Sequence, residues 1–272
     1  MKQTIKRFTP APLWNLARDG YDAVRRLPEL APSVLHPWRR ESMRRLAALK
    51  DIHRGERCFI IGNGPSLRQT DLSKLRNETT FGLNRIYLLF PELGFSTTYL
   101  VSTNDLVIEQ CRDEMLALPC EKFLTWRSMR LFEEQPVEPE KLPTFLYTTY
   151  TGPKFARNAA GRIWEGATVT YVAMQLAFHM GFSQVILIGV DHNFVTRGQA
   201  NTTVTSEGND PNHFAPDYFG KGFRWQLPDL VTSERAYSMA RTAFQADGRV
   251  VLDATLNGKL TLFPKVDYLS LF

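Results

Sequence analysis

Residues 58–67, CFIIGNGPSL, restrict the folds open to this chain more than any other stretch. The apolar run at their start suits a strand that is buried on both faces of a sheet. Gly62 and Gly64 permit a tight turn, and Pro65 fits the first position of a helix, where its missing N–H costs nothing. A helix that begins there would direct N–H groups and partial positive charge at a phosphate. The stretch predicts the opening of a nucleotide-binding α/β sheet; a tight connection without a ligand is the alternative.

The same turn argues against two common nucleotide sites. A Rossmann dinucleotide site has the pattern Gly-x-Gly-x-x-Gly, and here Leu67 stands in place of the third glycine, which disfavours NAD and FAD. The Walker phosphate-binding pattern is absent as well. The turn therefore indicates a nucleotide site of another kind.

The rest of the chain alternates strand and helix patterns without an internal repeat. Strands are predicted at 58–61, 79–84, 97–103, 122–126, 145–149, 184–191 and 250–252, and helices at 32–50, 105–118, 169–180 and 233–246. Residues 196–222 are polar and glycine-rich, which predicts a mobile lid or a functional loop. The fold class is therefore α/β: a single Rossmann-like, doubly wound, mainly parallel sheet at 56–272, preceded by a basic N-terminal helical extension at 1–55.

Positive charge is concentrated before the sheet. Residues 1–57 hold 13 Lys/Arg against 6 Asp/Glu, whereas the remaining chain holds 20 against 22. Arginines alternate with apolar residues up to position 50, a mixture that suits an anionic membrane surface. An arm that packs on its own domain or on a partner subunit is the alternative, which leaves a homo-oligomer open. Acids balance the basic residues of the main body, so nucleic acid is not an expected partner.

Cysteine usage and hydropathy bear on the compartment. The three cysteines are odd in number and lack metal-ligand spacing, which indicates a reducing compartment and no metal site. No signal-peptide pattern or spanning segment occurs in the sequence. We expect a cytoplasmic protein that can associate peripherally with the inner face of the cytoplasmic membrane.

Amide and carboxylate side chains follow the predicted strands. Because ligands of open parallel sheets bind beyond the carboxyl ends of the strands, these side chains are candidates for a binding site. Asn offers donors and acceptors without charge, so several can read a sugar, a base or a phosphate; a turn or capping role is the alternative for each. Asp191 is the strongest carboxylate candidate. His192 and His213 are candidate acid/base groups because their ordinary pKa lies near neutrality.

Four blocks in this order carry a family resemblance: GNGPSL, FGLNRIY, TNDLVIEQ and MGFSQVILIGVDHNF. Together they resemble the bacterial CMP-sialic-acid-dependent sialyltransferases. With HFAPDYFGKG and DATLNGKLTLFPKVDY, they are even more similar to a family of bacterial glycan gene clusters. That family is related to the motility accessory factor (Maf) flagellin glycosyltransferases and to the archaeal 6-hydroxymethylpterin diphosphokinases. The resemblance covers residues 56–272.

The resemblance to sialyltransferases implies roles for particular residues. Asn63, Gly64 and Ser66 would hold the CMP phosphate and ribose, Asn84 would face the donor sugar, and Asn104 matches a donor-contacting Asn after a one-residue gap. The catalytic His of that family lies in the loop after the GVD-like strand. Here His213 precedes the expected position, where Asp217 stands, and His192-Asn193 replace the usual tyrosine.

The expected function is a glycosyltransferase of surface-glycan synthesis that moves a sialic-acid-like sugar from a CMP-activated donor to a glycan acceptor. His213, Asp217 and Asp191 are the predicted catalytic residues. The predicted donor- and nucleotide-binding residues are Asn63, Gly64, Pro65, Ser66, Asn84, Thr103, Asn104, His192, Asn193 and Tyr218. No cofactor is expected, since departing CMP carries one phosphate.

Two other functions stay open. An ATP-dependent diphosphokinase of the 6-hydroxymethylpterin type would add Mg²⁺, held by carboxylates such as Asp191, Asp105 and Asp217. A scaffold of the glycan assembly machinery would bind partners without catalysis.

Overall fold

The computed structural model describes residues 31–135, 137–149, 152–196 and 198–272, together with seven helical positions between 17 and 28. Eight strands form the main sheet: β1 (Arg57–Ile61), β2 (Thr80–Leu83), β3 (Tyr99–Ser102), β4 (Glu121–Thr125), β5 (Thr144–Thr149), β6 (Arg162–Trp164), β7 (Gln184–Ile188) and β10 (Val250–Asp253). Their spatial order is β10-β7-β1-β2-β3-β4-β5-β6, and each neighbouring pair is parallel. The predicted α/β class with a doubly wound parallel sheet is confirmed.

Helices cover both faces of this sheet. They are α1 (Pro37–Ala48), α2 (Phe90–Leu93), α3 (Asp105–Leu116), α4 (Arg130–Glu134), α5 (Val169–Met180) and α6 (Leu230–Ala246). Short 3-10 helices lie at Pro65–Gln69, Leu72–Leu75, Ile86–Leu89, Trp126–Met129, Pro139–Lys141 and Leu269–Leu271. In the part of the chain that the structure describes, no helix is long and apolar enough to cross a membrane.

The first strand is buried on both sides, as its apolar run predicts. Cys58 and Ile60 belong to the hydrophobic cluster on one face of the sheet, whereas Phe59 and Ile61 belong to the cluster on the other. Successive side chains of a strand point to opposite faces, so a strand between two helical layers is apolar at every position. This explains the unbroken apolar run at residues 58–61 of β1.

The sheet reverses its winding direction at β1. β2 to β6 follow β1 in sequence on one side, while β7 pairs with β1 on the other, with Ile61 opposite Ile188. The connections after β1 and β7 therefore leave the sheet in opposite directions and open a crevice between them. This switch point is where a ligand of such a sheet binds.

Helix α1 is built into the main fold. Leu46 is fully buried in the hydrophobic core, and Arg39, only 2% exposed, donates hydrogen bonds to the carbonyls of Phe145, Ala160 and Gly161. Burial lowers the pKa of Arg39 to about 10. The domain boundary predicted at residue 55 stays a prediction, but at least residues 37–48 of that extension pack against the sheet.

The segment 196–222, predicted as a mobile lid or a functional loop, is mostly exposed in its described first half and packed in its second half. It contains β8 (Thr203–Thr205), which pairs antiparallel with β9 (Arg224–Gln226). Phe214, Tyr218, Phe219 and Trp225 are buried in the core. Aromatic burial, rather than a mobile lid, therefore describes the second half of this segment.

Candidate functional site

A cavity of about 170 Å³ opens at the switch point. Its walls come from the turn after β1, the end of β2, the loop after β7, the first turns of α5 and α6, and the loop residues Asn212 and His213. Besides His213, six other predicted site residues line it: Asn63, Gly64, Asn84, Asp191, His192 and Asn193. The structure therefore collects at one place side chains that sequence reasoning assigned to the carboxyl ends of separate strands.

The turn after β1 holds a carboxylate at its helix start. Pro65 occupies the first turn of a five-residue 3-10 helix, Pro65–Gln69. Asp191 accepts hydrogen bonds from the Ser66 backbone N–H at 3.1 Å and from the Ser66 hydroxyl at 2.7 Å. Gly64 makes this possible, since a Cβ there would lie 1.8 Å from Oδ2 of Asp191. The donors expected to bind a phosphate are thus engaged by Asp191.

Burial raises the pKa of Asp191, against the effect of its hydrogen bonds from Ser66. The predicted phosphate contact of Ser66 stays a prediction, and it requires Asp191 to release these two donors. A carboxylate that burial makes easier to neutralise is suited to such a release.

Two longer helices begin at the cavity. Thr168 caps α5 by accepting a hydrogen bond from the Thr170 N–H at 3.3 Å. Asp229 caps α6 by accepting from the Thr232 N–H at 3.0 Å. Their first turns contribute partial positive charge to the cavity wall. The sequence signal for the first was present, since a Thr precedes the apolar helical run of 169–180.

His213 is oriented by a partner that sequence reasoning missed. Its Nδ1 lies 2.7 Å from Oδ2 of Asp210, whose side chain is 4% exposed. The imidazole stacks on the Tyr218 ring at 4.1 Å between centroids and 7° between planes. Since the Asp precedes the His by three residues in one loop, the spacing alone was a usable signal. The predicted base therefore has a carboxylate partner, as general-base histidines commonly have.

His192 is paired too, but with an exposed carboxylate. Its Nε2 lies 2.9 Å from Oε1 of Glu234, and the Glu234 side chain is 55% exposed. His192 has a positive φ of 53°, which turns the chain after β7 back toward α6. Glu234 follows His192 by more than forty residues, so no local sequence pattern could indicate this contact.

The asparagines of the cavity differ in their partners. Asn63 donates from Nδ2 to the Leu83 carbonyl at 3.0 Å, and Asn84 accepts from the Ser102 hydroxyl at 3.0 Å. Asn193 is exposed on the cavity wall. The amides of Asn63 and Asn84 are therefore each bound to a neighbouring strand, whereas the Asn193 side chain is exposed.

Six predicted site residues lie outside the cavity wall, namely Pro65, Ser66, Thr103, Asn104, Asp217 and Tyr218. Asn104 caps α3 by accepting from the Leu106 N–H at 3.0 Å, which is the capping role left open as its alternative. Thr103 is buried after β3, and Asp217 is exposed on its loop. Tyr218 is buried beneath His213, and burial raises the pKa of its phenol. The geometry favours His213 over Asp217 as the base, because only His213 lines the cavity.

A polar network that sequence reasoning missed lies farther along the same edge of the sheet. Arg127 donates hydrogen bonds to Asp105, Thr148, Glu165 and the Thr103 carbonyl. The carboxylates of Asp105 and Glu165 raise the pKa of Arg127, although burial opposes them. The network ties the ends of β3 and β5 to the segment after β6. It explains why Asp105 is not part of the cavity.

The C-terminal segment holds the loop after β7 through hydrogen bonds to its backbone. Lys259 donates its backbone N–H to the Asp191 carbonyl at 2.8 Å, and Ala254 donates to the Leu187 carbonyl at 2.8 Å. Lys265 binds the fully buried carboxylate of Asp253 at 2.6 Å. These contacts hold the backbone of Asp191 in place.

A search of solved structures finds a similar chain in the Maf glycosyltransferase from Magnetospirillum magneticum AMB-1. The two are 14% identical with a TM-score of 0.45, and the match covers 85% of this chain and 39% of the other. This chain thus spans about two fifths of that protein's length. None of the curated proteins matches the sequence.

A family model, described as 6-hydroxymethylpterin diphosphokinase MptE-like, matches residues 39–197, which is more than half of the chain. The match starts within α1 and ends within the loop that follows β7, so it includes both sides of the switch point. The resemblance to 6-hydroxymethylpterin diphosphokinase-like proteins is confirmed. The chain belongs to the 6-hydroxymethylpterin diphosphokinase MptE-like family.

Proposed function

We propose that this protein is a glycosyltransferase that moves a nonulosonic sugar from a CMP-activated donor to a hydroxyl of a bacterial surface glycan. The observation that carries the proposal is the pair of His213 and Asp210 on the wall of the switch-point cavity. The cavity is the ligand site of a doubly wound sheet, and the pair supplies a base to it.

The acceptor hydroxyl requires a base because a neutral alcohol is a weak nucleophile. An ionised carboxylate only accepts hydrogen bonds, so Nδ1 of His213 is the donor in its contact with Asp210. In the neutral ring, Nε2 then carries the lone pair. In the proposed reaction Nε2 takes the proton of the acceptor hydroxyl while its oxygen bonds to the anomeric carbon and the bond to CMP breaks.

The proposed donor contacts come from other parts of the cavity wall. The first turns of α5 and α6 face the cavity, and their partial positive charge suits the phosphate of departing CMP. Asn84 and Asn193 can hydrogen-bond sugar hydroxyls. At about 170 Å³ the cavity is smaller than the roughly 300 Å³ or more of usual ligand pockets, so it would enclose only part of the donor.

A diphosphokinase is the second candidate, and the family description favours it. His213 could activate a hydroxymethyl group in the same way, but ATP would bring Mg²⁺, which binds one or two carboxylates along with phosphate oxygens. Asp191 and Asp229 are the carboxylates on the described cavity wall. Asp105 and Asp217, expected to assist Asp191, lie elsewhere. The described residues contain no group of three or more His, Cys, Asp or Glu that could hold a metal.

Thermal-shift measurements with CMP, UDP, ADP and ATP, each with and without Mg²⁺, test the proposal. A nucleotide at 100 times its Kd adds about 2.7 kcal/mol of stability. For a chain of this size that is a rise in Tm of roughly 5–10 °C. We expect CMP to give this rise without Mg²⁺.

Asn193→Ala localises the binding, with Asn77→Ala as its matched control. Asn77 is also exposed, but it precedes β2 at the opposite edge of the sheet. We expect the CMP shift to shrink in Asn193→Ala and to persist in Asn77→Ala. A shift with ATP that requires Mg²⁺, and none with CMP, would favour the diphosphokinase; no shift with any nucleotide would contradict both candidates.

A peripheral contact with an anionic membrane is also part of the proposal. Tyr21, Val24 and Leu27 are exposed at a spacing of three residues, and residues 1–30 hold 6 Lys/Arg against 3 Asp/Glu. Arg44 and Arg45, by contrast, are bound to Glu41 within the protein. Within the predicted membrane segment of residues 1–50, we therefore place the contact before residue 31, where the structure describes only residues 17, 20, 21, 23, 24, 27 and 28.

A further inference from the structure

Building on the proposed function, we infer that Asp210 is a positioning residue that fixes the tautomer of His213. With the proton held on Nδ1 by Asp210, the lone pair stays on Nε2, where a base needs it. Without the carboxylate, the proton can move to Nε2 and the ring can no longer act as a base from that atom.

Asp210 is itself held firmly. One carboxylate oxygen lies 2.7 Å from Nδ1 of His213, and the other accepts the Asn212 N–H at 2.9 Å. Its own backbone N–H donates to the Pro216 carbonyl at 2.6 Å. Its side chain is 4% exposed, so water competes little for the carboxylate. Oδ1 thus closes the local turn, while Oδ2 is the oxygen in position to select the proton position on the His213 ring.

The aromatic neighbours of His213 fix its plane but not its orientation within the plane. Tyr218 stacks on one face, and Phe219 meets the ring edge-on at 4.9 Å. Tyr218 is anchored in turn, since its hydroxyl accepts the Arg85 N–H at 3.2 Å. Stacking is indifferent to a half-turn of the imidazole that exchanges nitrogen and carbon positions. The hydrogen bond to Asp210 is the contact that distinguishes the two orientations.

His192 and Glu234 provide the comparison within the same cavity. Their contact is similar in length, but the Glu234 side chain is 55% exposed. The His192 side chain is only 9% exposed, so the difference from the His213 pair lies in the carboxylate, where water competes for Glu234 but little for Asp210. Glu234→Gln therefore serves as the control for removing a carboxylate beside a cavity histidine without touching Asp210.

Long-range ¹H–¹⁵N correlation spectra of protein labelled with ¹⁵N-histidine read the tautomer directly and need no substrate. The chain has five histidines, and His213→Ala identifies the signals of interest. We expect His213 at neutral pH to carry its proton on Nδ1 in the wild type and to lose this preference in Asp210→Asn. Glu234→Gln should leave the His213 signals unchanged. A wild-type His213 protonated on Nε2, or identical His213 signals in Asp210→Asn, would overturn the inference.

Turnover of a CMP-activated nonulosonic donor separates this inference from the proposed function. We expect Asp210→Asn to lower kcat by at least about tenfold with KM unchanged, since the acceptor and donor contacts remain. A wild type that holds the Nδ1 tautomer yet does not turn over this donor would contradict the proposed function while the positioning by Asp210 stands. Asp210→Asn could show the expected change of tautomer and still have a kcat within twofold of wild type. That result would overturn a role for this positioning in the reaction.

Discussion

Gly64→Ala tests the contact between the turn after β1 and Asp191. Gly64 has φ −69° and ψ 158°, angles that alanine adopts freely, so the cost of the change is steric. The new Cβ would lie 1.8 Å from Oδ2 of Asp191 and 2.9 Å from the Gly189 carbonyl oxygen. Neither distance is tolerable, and the carboxylate is the group that can move.

A displaced Asp191 loses both hydrogen bonds from Ser66. Each hydrogen bond to a charged group contributes about 1.5 kcal/mol or more, so we expect a loss of about 3 kcal/mol in the free energy of unfolding. That corresponds to a fall in Tm of roughly 6–12 °C, measured by calorimetry or by urea denaturation at neutral pH.

Gly161→Ala is the matched control. A Cβ at Gly161 meets its nearest atom, the Asn158 carbonyl oxygen, at 3.8 Å, which is ordinary contact. This substitution should change the free energy of unfolding by less than about 0.5 kcal/mol. Equal stability of Gly64→Ala and Gly161→Ala would refute the reasoning, because it would mean that Asp191 is not held against the turn.

Three further predictions concern the extension and the buried acid. Leu46→Ala should cost about 2–5 kcal/mol in urea denaturation because Leu46 is fully buried, whereas Leu35→Ala, at a 59% exposed site, should cost less than about 0.5; equal costs would place α1 outside the core. Burial raises the pKa of Asp191, so the folded state favours the protonated carboxyl. This contribution to stability is complete below the unfolded-state pKa of about 3.9 and is lost as pH rises through the folded-state pKa. The wild type should therefore gain stability relative to Asp191→Asn between pH 7 and pH 4, and a constant difference would contradict the burial effect. Deletion of residues 1–30, which keeps α1, should abolish co-sedimentation with anionic vesicles at unchanged Tm; undiminished binding would end the membrane proposal.

The sheet was predictable where strands are buried on both faces. Residues 58–61 of β1 and 185–188 of β7 are unbroken apolar runs because helices cover both sides of them. β6, β8 and β9 escaped prediction. Each has three residues with partly exposed side chains, too few to establish a period of two.

The candidate site was predictable as a set of positions but not as a set of contacts. The carboxyl ends of parallel strands must share one edge, so Asn63, Asn84 and Asp191 were expected together. Their hydrogen-bond partners could not be predicted, because Ser66 and Asp191 are 125 residues apart and meet only through the pairing of β1 with β7. The extension shows the same limit: Arg39 reads as a solvent-exposed charge in sequence, yet its partners are carbonyls more than a hundred residues away.

The support beneath Asp191 has a consequence for the order of folding. The N–H of Lys259 and the ion pair of Asp253 with Lys265 come from a part of the chain that the ribosome makes after every other wall of the cavity. A nascent chain can assemble β1 to β7 and still lack the backing that fixes the β7 loop. The cavity is therefore completed late in synthesis, and we expect chains that end before residue 259 not to bind the nucleotide of the proposed function.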